Sequence, residues 1–167
     1  MEPWRGLDLA PDDEARARLF ACCGSTRWVD RMLARRPFGS LDALLRAASA
    51  IWADLSESDW KEAFGHHPKI GDRNLNASRF AATRHLSERE QAGVTGASDD
   101  VLRALAEGNR AYETTFGYVF IICATGQSAE SMLARLTERL RHDPATEIHI
   151  AAAEQARITR LRLEAIE

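Results

Sequence analysis

A chain of 167 residues, 45% hydrophobic and 28% charged, is long enough to bury one substantial core and is far from a disordered composition. Its formal net charge of −3 leaves no excess of cations to neutralise phosphates, so nucleic acid is not an expected partner. Cys22, Cys23 and Cys123 form no CxxC or paired spacing, and neither a signal core nor an apolar run of bilayer length occurs; the expectation is a cytoplasmic protein with reduced thiols and no membrane association.

Helical punctuation runs through almost the whole chain. Pro11-Asp12-Asp13-Glu14 opens a first helix with acids where the macrodipole favours them, and Gly24 closes it. Ser25 caps a second helix to about Arg36, and Ser40 caps a third in which Leu41, Leu44, Leu45, Ala48, Ile51 and Trp52 recur at helical spacing. Ser56-Glu57-Ser58-Asp59 starts a short fourth. The stretch from Gly65 to about Asn76 reads as loop, because Pro68 disfavours helix at His67 and Gly71-Asp72 is turn chemistry. Short helices are expected over Asn76–Arg84 and from Ser87 to near Gly93. Ser98-Asp99-Asp100 begins a long one, kinked at Gly117 and closed at Gly126, with Tyr118 to Cys123 as its buried end because no second strand is available to pair with that run. Gln127-Ser128 and Asp143-Pro144 open the last two. The expectation is an all-α protein of about eight helices without a sheet, in one compact domain covering residues 1–167.

Two constellations carry candidate chemistry. His66, His67, Pro68, Lys69 and Asp72 sit on the one extended loop, where a rigid scaffold can present an imidazole; the alternative is a surface turn with two solvated histidines. Ser87 and Glu90 stand at capping-box spacing, which by itself predicts a structural cap; the functional alternative is a donor-rich helix start with Glu90 as acid and Gln91 as amide. His66, His67, Asp72 and His85 could be assembled around a metal, but no HExxH, HxH or cysteine pair supports it, so none is expected. Neither a GxSxG elbow nor a phosphate-binding glycine loop is present, and nothing marks Lys69 as a desolvated amine. Arg162, between Leu161 and Leu163, needs an anionic partner if it is buried; Arg157 and Arg160 are expected in solvent.

Taken together, Gly65-His66-His67-Pro68-Lys69-Ile70-Gly71-Asp72, Leu86-Ser87 with Glu90-Gln91-Ala92-Gly93, and Asn109-Arg110-Ala111-Tyr112 with Phe116 through Ala124 resemble the OHCU decarboxylases. The substrate of that family is 2-oxo-4-hydroxy-4-carboxy-5-ureidoimidazoline (OHCU). The likeness extends to Cys23-Gly24-Ser25, Arg36-Pro37-Phe38 and the final Arg157-Ile158 and Leu161-Arg162-Leu163. It implies an all-helical, cofactor-free, homodimeric enzyme of urate breakdown that releases carbon dioxide and (S)-allantoin. It further implies His67 as the catalytic histidine with Glu90 beside it, and Pro68, Ser87, Gln91, the backbone amides near Phe120 and Ile121, and Arg162 as substrate-binding groups. One departure is Thr125-Gly126 after Ala124, where many members of the family carry arginine. Two alternatives stay open: a helical interaction module without catalysis, and a diverged decarboxylase for another ureido or hydantoin acid.

Overall fold

The computed structural model describes residues 2–71 and 83–166. Among them stand nine α-helices and one short 3-10 turn, with no strand. The chain divides into two compact units, residues 1–63 with 155–167, and residues 64–154.

The first unit holds α1 (Pro3–Leu9), α2 (Asp12–Cys22), α3 (Thr26–Ala34), α4 (Leu41–Ala53), α5 (Glu57–Phe64, its last residue beginning the second unit) and the final turns of α9 (Pro144–Glu164). Short polar side chains start α3, α4 and α5 as expected. Ser25 Oγ accepts the Trp28 N–H and Ser40 Oγ the Ala43 N–H. Ser56 and Asp59 exchange hydrogen bonds in a reciprocal capping box. Glu62 accepts both the N–H and the hydroxyl of Thr26, placing a carboxylate at the amide-rich start of α3. Leu7, Leu19, Trp28, Val29, Met32 and Leu44 are fully buried, and the Trp28 and Trp60 indoles donate to the carbonyls of Ala48 and Trp52. No signal in the sequence marked α1: seven residues opened by Pro3 are too short for periodicity to show.

The second unit holds α6 (Arg84–Glu90), the 3-10 turn Ala92–Val94, α7 (Asp99–Phe116), α8 (Ala129–Arg139) and the first turns of α9. Ser98, Ser128 and Asp143 cap α7, α8 and α9 through the N–H groups of Val101, Ser131 and Thr146. The core joins α7 to α8 through Leu105, Tyr112, Met132 and Leu136, with Ile70, Phe120 and Ile122 packed into it.

Two expectations about helix limits require correction. The long helix is not kinked at Gly117 but ends there: Gly117 adopts φ +84°, and its N–H returns to the Glu113 carbonyl, a left-handed cap that side chains with a Cβ resist. Residues 118–124 are therefore neither helix nor strand but an irregular strap. Its polar backbone is served by side chains: the Ile121 carbonyl accepts from Arg139, the Cys123 N–H donates to Glu154, and the Cys123 carbonyl accepts from Gln127. The other correction concerns α6, which starts at Arg84 rather than Ser87, with Thr83 at its N-cap. Most of the helix expected over Asn76–Arg84 lies outside the described residues.

Candidate active site

The loop that follows α5 is fixed at three points. The His67 N–H donates to the Phe64 carbonyl at 3.1 Å. Asn109 Nδ2, from the middle of α7, donates to the Ile70 carbonyl at 3.0 Å, and the Gly71 N–H donates to Gln91 Oε1 at 3.0 Å. Between these points Pro68 is buried and His67 is 8% exposed, while His66 points to solvent. A turn with two solvated histidines therefore describes only one of the pair. Lys69, 39% exposed, places Nζ 2.7 Å from Glu113 Oε2. It is a paired surface cation rather than the desolvated amine that Schiff-base chemistry prefers.

Ser87 and Glu90 fall at positions i and i+3 of α6 and so share one face, and Gln91 is the C-cap that follows. Ser87 is not a helix cap, since the helix begins three residues earlier; its carbonyl accepts the Gln91 N–H inside the last turn. Its side chain is 2% exposed, and the hydroxyl has no hydrogen-bond partner among the described residues. A buried hydroxyl left in that state carries a desolvation cost that a bound polar ligand would remove. The Gly71 N–H fixes the Gln91 amide with Oε1 toward the loop, so Nε2 is the donor that remains. Glu90 is half-buried. Just beyond it the chain needs Gly93, because a Cβ there would fall 1.8 Å from the Gln127 carbonyl oxygen. That approach seats the end of the α6 region against the start of α8.

Phe120 and Ile121 lie in the strap, each 2% exposed. Among the described residues neither N–H donates to a partner, although the Ile121 carbonyl is held by Arg139 Nη1 at 2.6 Å. Arg162 belongs to the first unit. It is buried in α9, with Nη1 donating to the Ala21 carbonyl at 3.0 Å. Burial pushes the neighbouring Cys23 thiol up to about 12 even though the Arg162 charge acts against it, so that thiol stays neutral. Arg157 and Arg160 are exposed, Arg160 paired with Glu164.

Among the described residues no three His, Cys, Asp or Glu side chains gather as a metal-ligand group. His85 is exposed, and Asp72 lies outside the described residues. A cavity of about 520 Å³ borders the loop through Lys69, Ile70 and Gly71 and runs along Asn109 and Arg110, but its described lining does not include His67, Ser87 or Glu90. The second unit carries an imidazole at His67, a hydroxyl at Ser87, a carboxylate at Glu90 and the side-chain amide of Gln91, with the loop and α6 joined through the Gly71–Gln91 hydrogen bond.

Reading the sequence alone missed the residues that hold this frame. Asn109 was visible only as part of a motif, and Arg139, Glu147 and Glu154 look like ordinary helix charges until their burial is known.

The model of the OHCU decarboxylase family matches residues 8–164. The uric acid degradation bifunctional protein TTL of Arabidopsis thaliana is 39% identical over 143 residues, 85% of this chain; the chain spans only 44% of that protein's length. The 2-oxo-4-hydroxy-4-carboxy-5-ureidoimidazoline decarboxylase of Amia calva is 35% identical over 78% of this chain and 74% of its own. A crystal structure of OHCU decarboxylase in the presence of (S)-allantoin is similar with a TM-score of 0.76 at 33% identity, covering 92% of this chain and 96% of that one.

Proposed function

Because this chain belongs to the OHCU decarboxylase family, we propose that it is a carboxy-lyase that converts OHCU to (S)-allantoin and carbon dioxide in urate degradation. The observation that carries the reading is the tie between the two motifs. The loop that carries the buried His67 is fastened through Gly71 to Gln91, at the end of the helix whose face bears Ser87 and Glu90.

Decarboxylation breaks the bond between the ring carbon and its carboxylate, releases carbon dioxide and leaves an electron pair on that carbon. In OHCU the pair passes into the adjoining ring system, so the substrate contains its own electron sink, and the protein's work is orientation, charge stabilisation and delivery of one proton to one face. His67 takes the proton-handling role, held by its loop near the substrate hydroxyl and the reacting carbon. Glu90 accepts from ring or ureido N–H groups, and its charge near the departing carboxylate raises the ground state relative to the transition state. The Ser87 hydroxyl, Gln91 Nε2 and the N–H groups of Phe120 and Ile121 supply donors for the carbonyls and for the charge that develops on them. Pro68 keeps the loop from continuing as helix. Arg162 is assigned to the substrate by the resemblance alone.

We place the enzyme in the cytoplasm as a homodimer that needs no metal or organic cofactor and engages neither nucleic acid nor membrane. Among the described residues no helix is long and apolar enough to cross a membrane. The test is the rate at which freshly generated OHCU disappears. The His67→Asn variant should lose about 10²–10⁴-fold in kcat, whereas a chelator should leave the wild type unchanged. Wild-type turnover by His67→Asn contradicts the assignment of His67; loss of activity with chelator contradicts the metal-free mechanism.

A further inference from the structure

The strap of residues 118–124 has no neighbouring strand, yet its place is set by a buried charged cluster that the reaction scheme does not use. Arg139, 1% exposed, ends α8, and Glu147, fully buried, lies in the first turn of α9. A cation at a helix C-terminus and an acid at a helix N-terminus are each favoured by the macrodipole. Arg139 Nε donates to Glu147 Oε1 at 2.7 Å, and Nη2 stands 2.6 Å from the same oxygen as an ion-pair contact outside hydrogen-bond geometry. The Tyr112 hydroxyl donates to Oε1 at 2.6 Å, and His142 Nδ1 is 3.0 Å from Oε2. Glu147 thus has partners on both oxygens, which is what a buried carboxylate requires.

What the guanidinium does with its remaining surface is more specific. Its Nη1 donates to the Ile121 carbonyl at 2.6 Å, and its Cζ lies over the Phe120 ring, 4.6 Å from the centroid. One rigid cation therefore grips the backbone of one strap residue and the side chain of its neighbour. These are the two residues whose N–H groups are assigned to substrate. A lysine could supply the charge but neither the planar fork nor the stacking face.

We propose that Arg139, locked by Glu147, is a positioning residue for the reaction: by pinning the Ile121 carbonyl and the Phe120 ring it fixes the segment that carries the Phe120 and Ile121 amides, so that these amides meet the charge developing on the substrate. The proposal rests on the decarboxylase reading above. Donors aimed at developing charge act through kcat more than KM, and a displacement of about 1 Å can cost on the order of 100-fold.

The experiment joins OHCU kinetics to amide NMR of the full chain titrated with (S)-allantoin. For Arg139→Lys the expected result is a fall of about 10- to 100-fold in kcat with KM within about threefold, together with displaced Phe120 and Ile121 amide signals. Tyr112→Phe removes one bond to Glu147 and leaves the Arg139–Ile121 bond in place, so it should melt lower but turn over within about twofold of wild type. If Arg139→Lys fails to give the wild-type helical circular dichroism, Glu147→Gln takes its place and should displace the same two amides. Normal kcat with displaced amides, or equal loss in Tyr112→Phe and Arg139→Lys, overturns the positioning role. A wild type that converts OHCU but whose Phe120 and Ile121 amides ignore (S)-allantoin refutes the amide contacts and the proposal together. A wild type that does not convert OHCU refutes the decarboxylase reading itself.

Discussion

Asn109→Ala tests whether the histidine loop is held from α7. The Asn109 side chain is 2% exposed; its Nδ2 serves the Ile70 carbonyl, and Ile70 is itself 7% exposed. Truncation leaves a buried carbonyl without its donor, a change of about 1–3 kcal/mol. Part of this is recovered, because Asn109 Oδ1 has no partner among the described residues and its removal relieves a desolvated acceptor. A net cost of about 1–2 kcal/mol follows, which raises the open population of the loop roughly 5- to 30-fold. The loss is local, so hydrogen exchange should report it at His67, Ile70 and Gly71 before it appears in helix melting. The same variant should lower kcat/KM, since His67 spends less time in place. Unchanged exchange at those amides with unchanged kcat/KM would refute the claim that Asn109 positions the loop.

Other perturbations have equally definite outcomes. Gly93→Ala places a Cβ 1.8 Å from the Gln127 oxygen; backbone must move, at about 1–3 kcal/mol or more, and a thermal melt should fall accordingly. Ser87→Ala removes a hydroxyl that makes no hydrogen bond among the described residues, so kcat/KM for OHCU should drop while Tm changes little; a lower Tm with normal turnover would mark it as structural. The Cys23 thiol, raised from 9.0 to about 12, stays protonated in the folded chain while the unfolded chain ionises. Its stabilising contribution is whole below pH 9 and is lost as pH rises toward 12, at up to about 1.4 kcal/mol per pH unit. Denaturant titrations across that window should be flatter for Cys23→Ala.

Much of the architecture was written locally. The serine caps at positions 25, 40, 98 and 128 and the Asp143-Pro144 start announce helices through short-range hydrogen bonds that need no tertiary context. Tyr118 to Cys123 failed the same approach because an apolar, β-branched run looks alike in a buried helix end and a buried irregular segment. What decides between them is Gly117 and three polar side chains from elsewhere in the chain. Ser87 and Glu90 at capping-box spacing were misleading for a related reason: the helix already begins at Arg84, and the same i, i+3 spacing also puts two side chains on one helix face. The histidine loop was legible as a loop from Pro68 and Gly71 alone. The burial of His67 against the exposure of His66 was not, because adjacent identical residues carry no signal of which one turns inward.

The most direct measurement is the handedness of the product. Purified protein mixed with freshly generated OHCU should produce a growing circular dichroism signal of (S)-allantoin, in step with loss of substrate absorbance and far faster than the blank. Racemic allantoin accumulating at the blank rate would contradict the account.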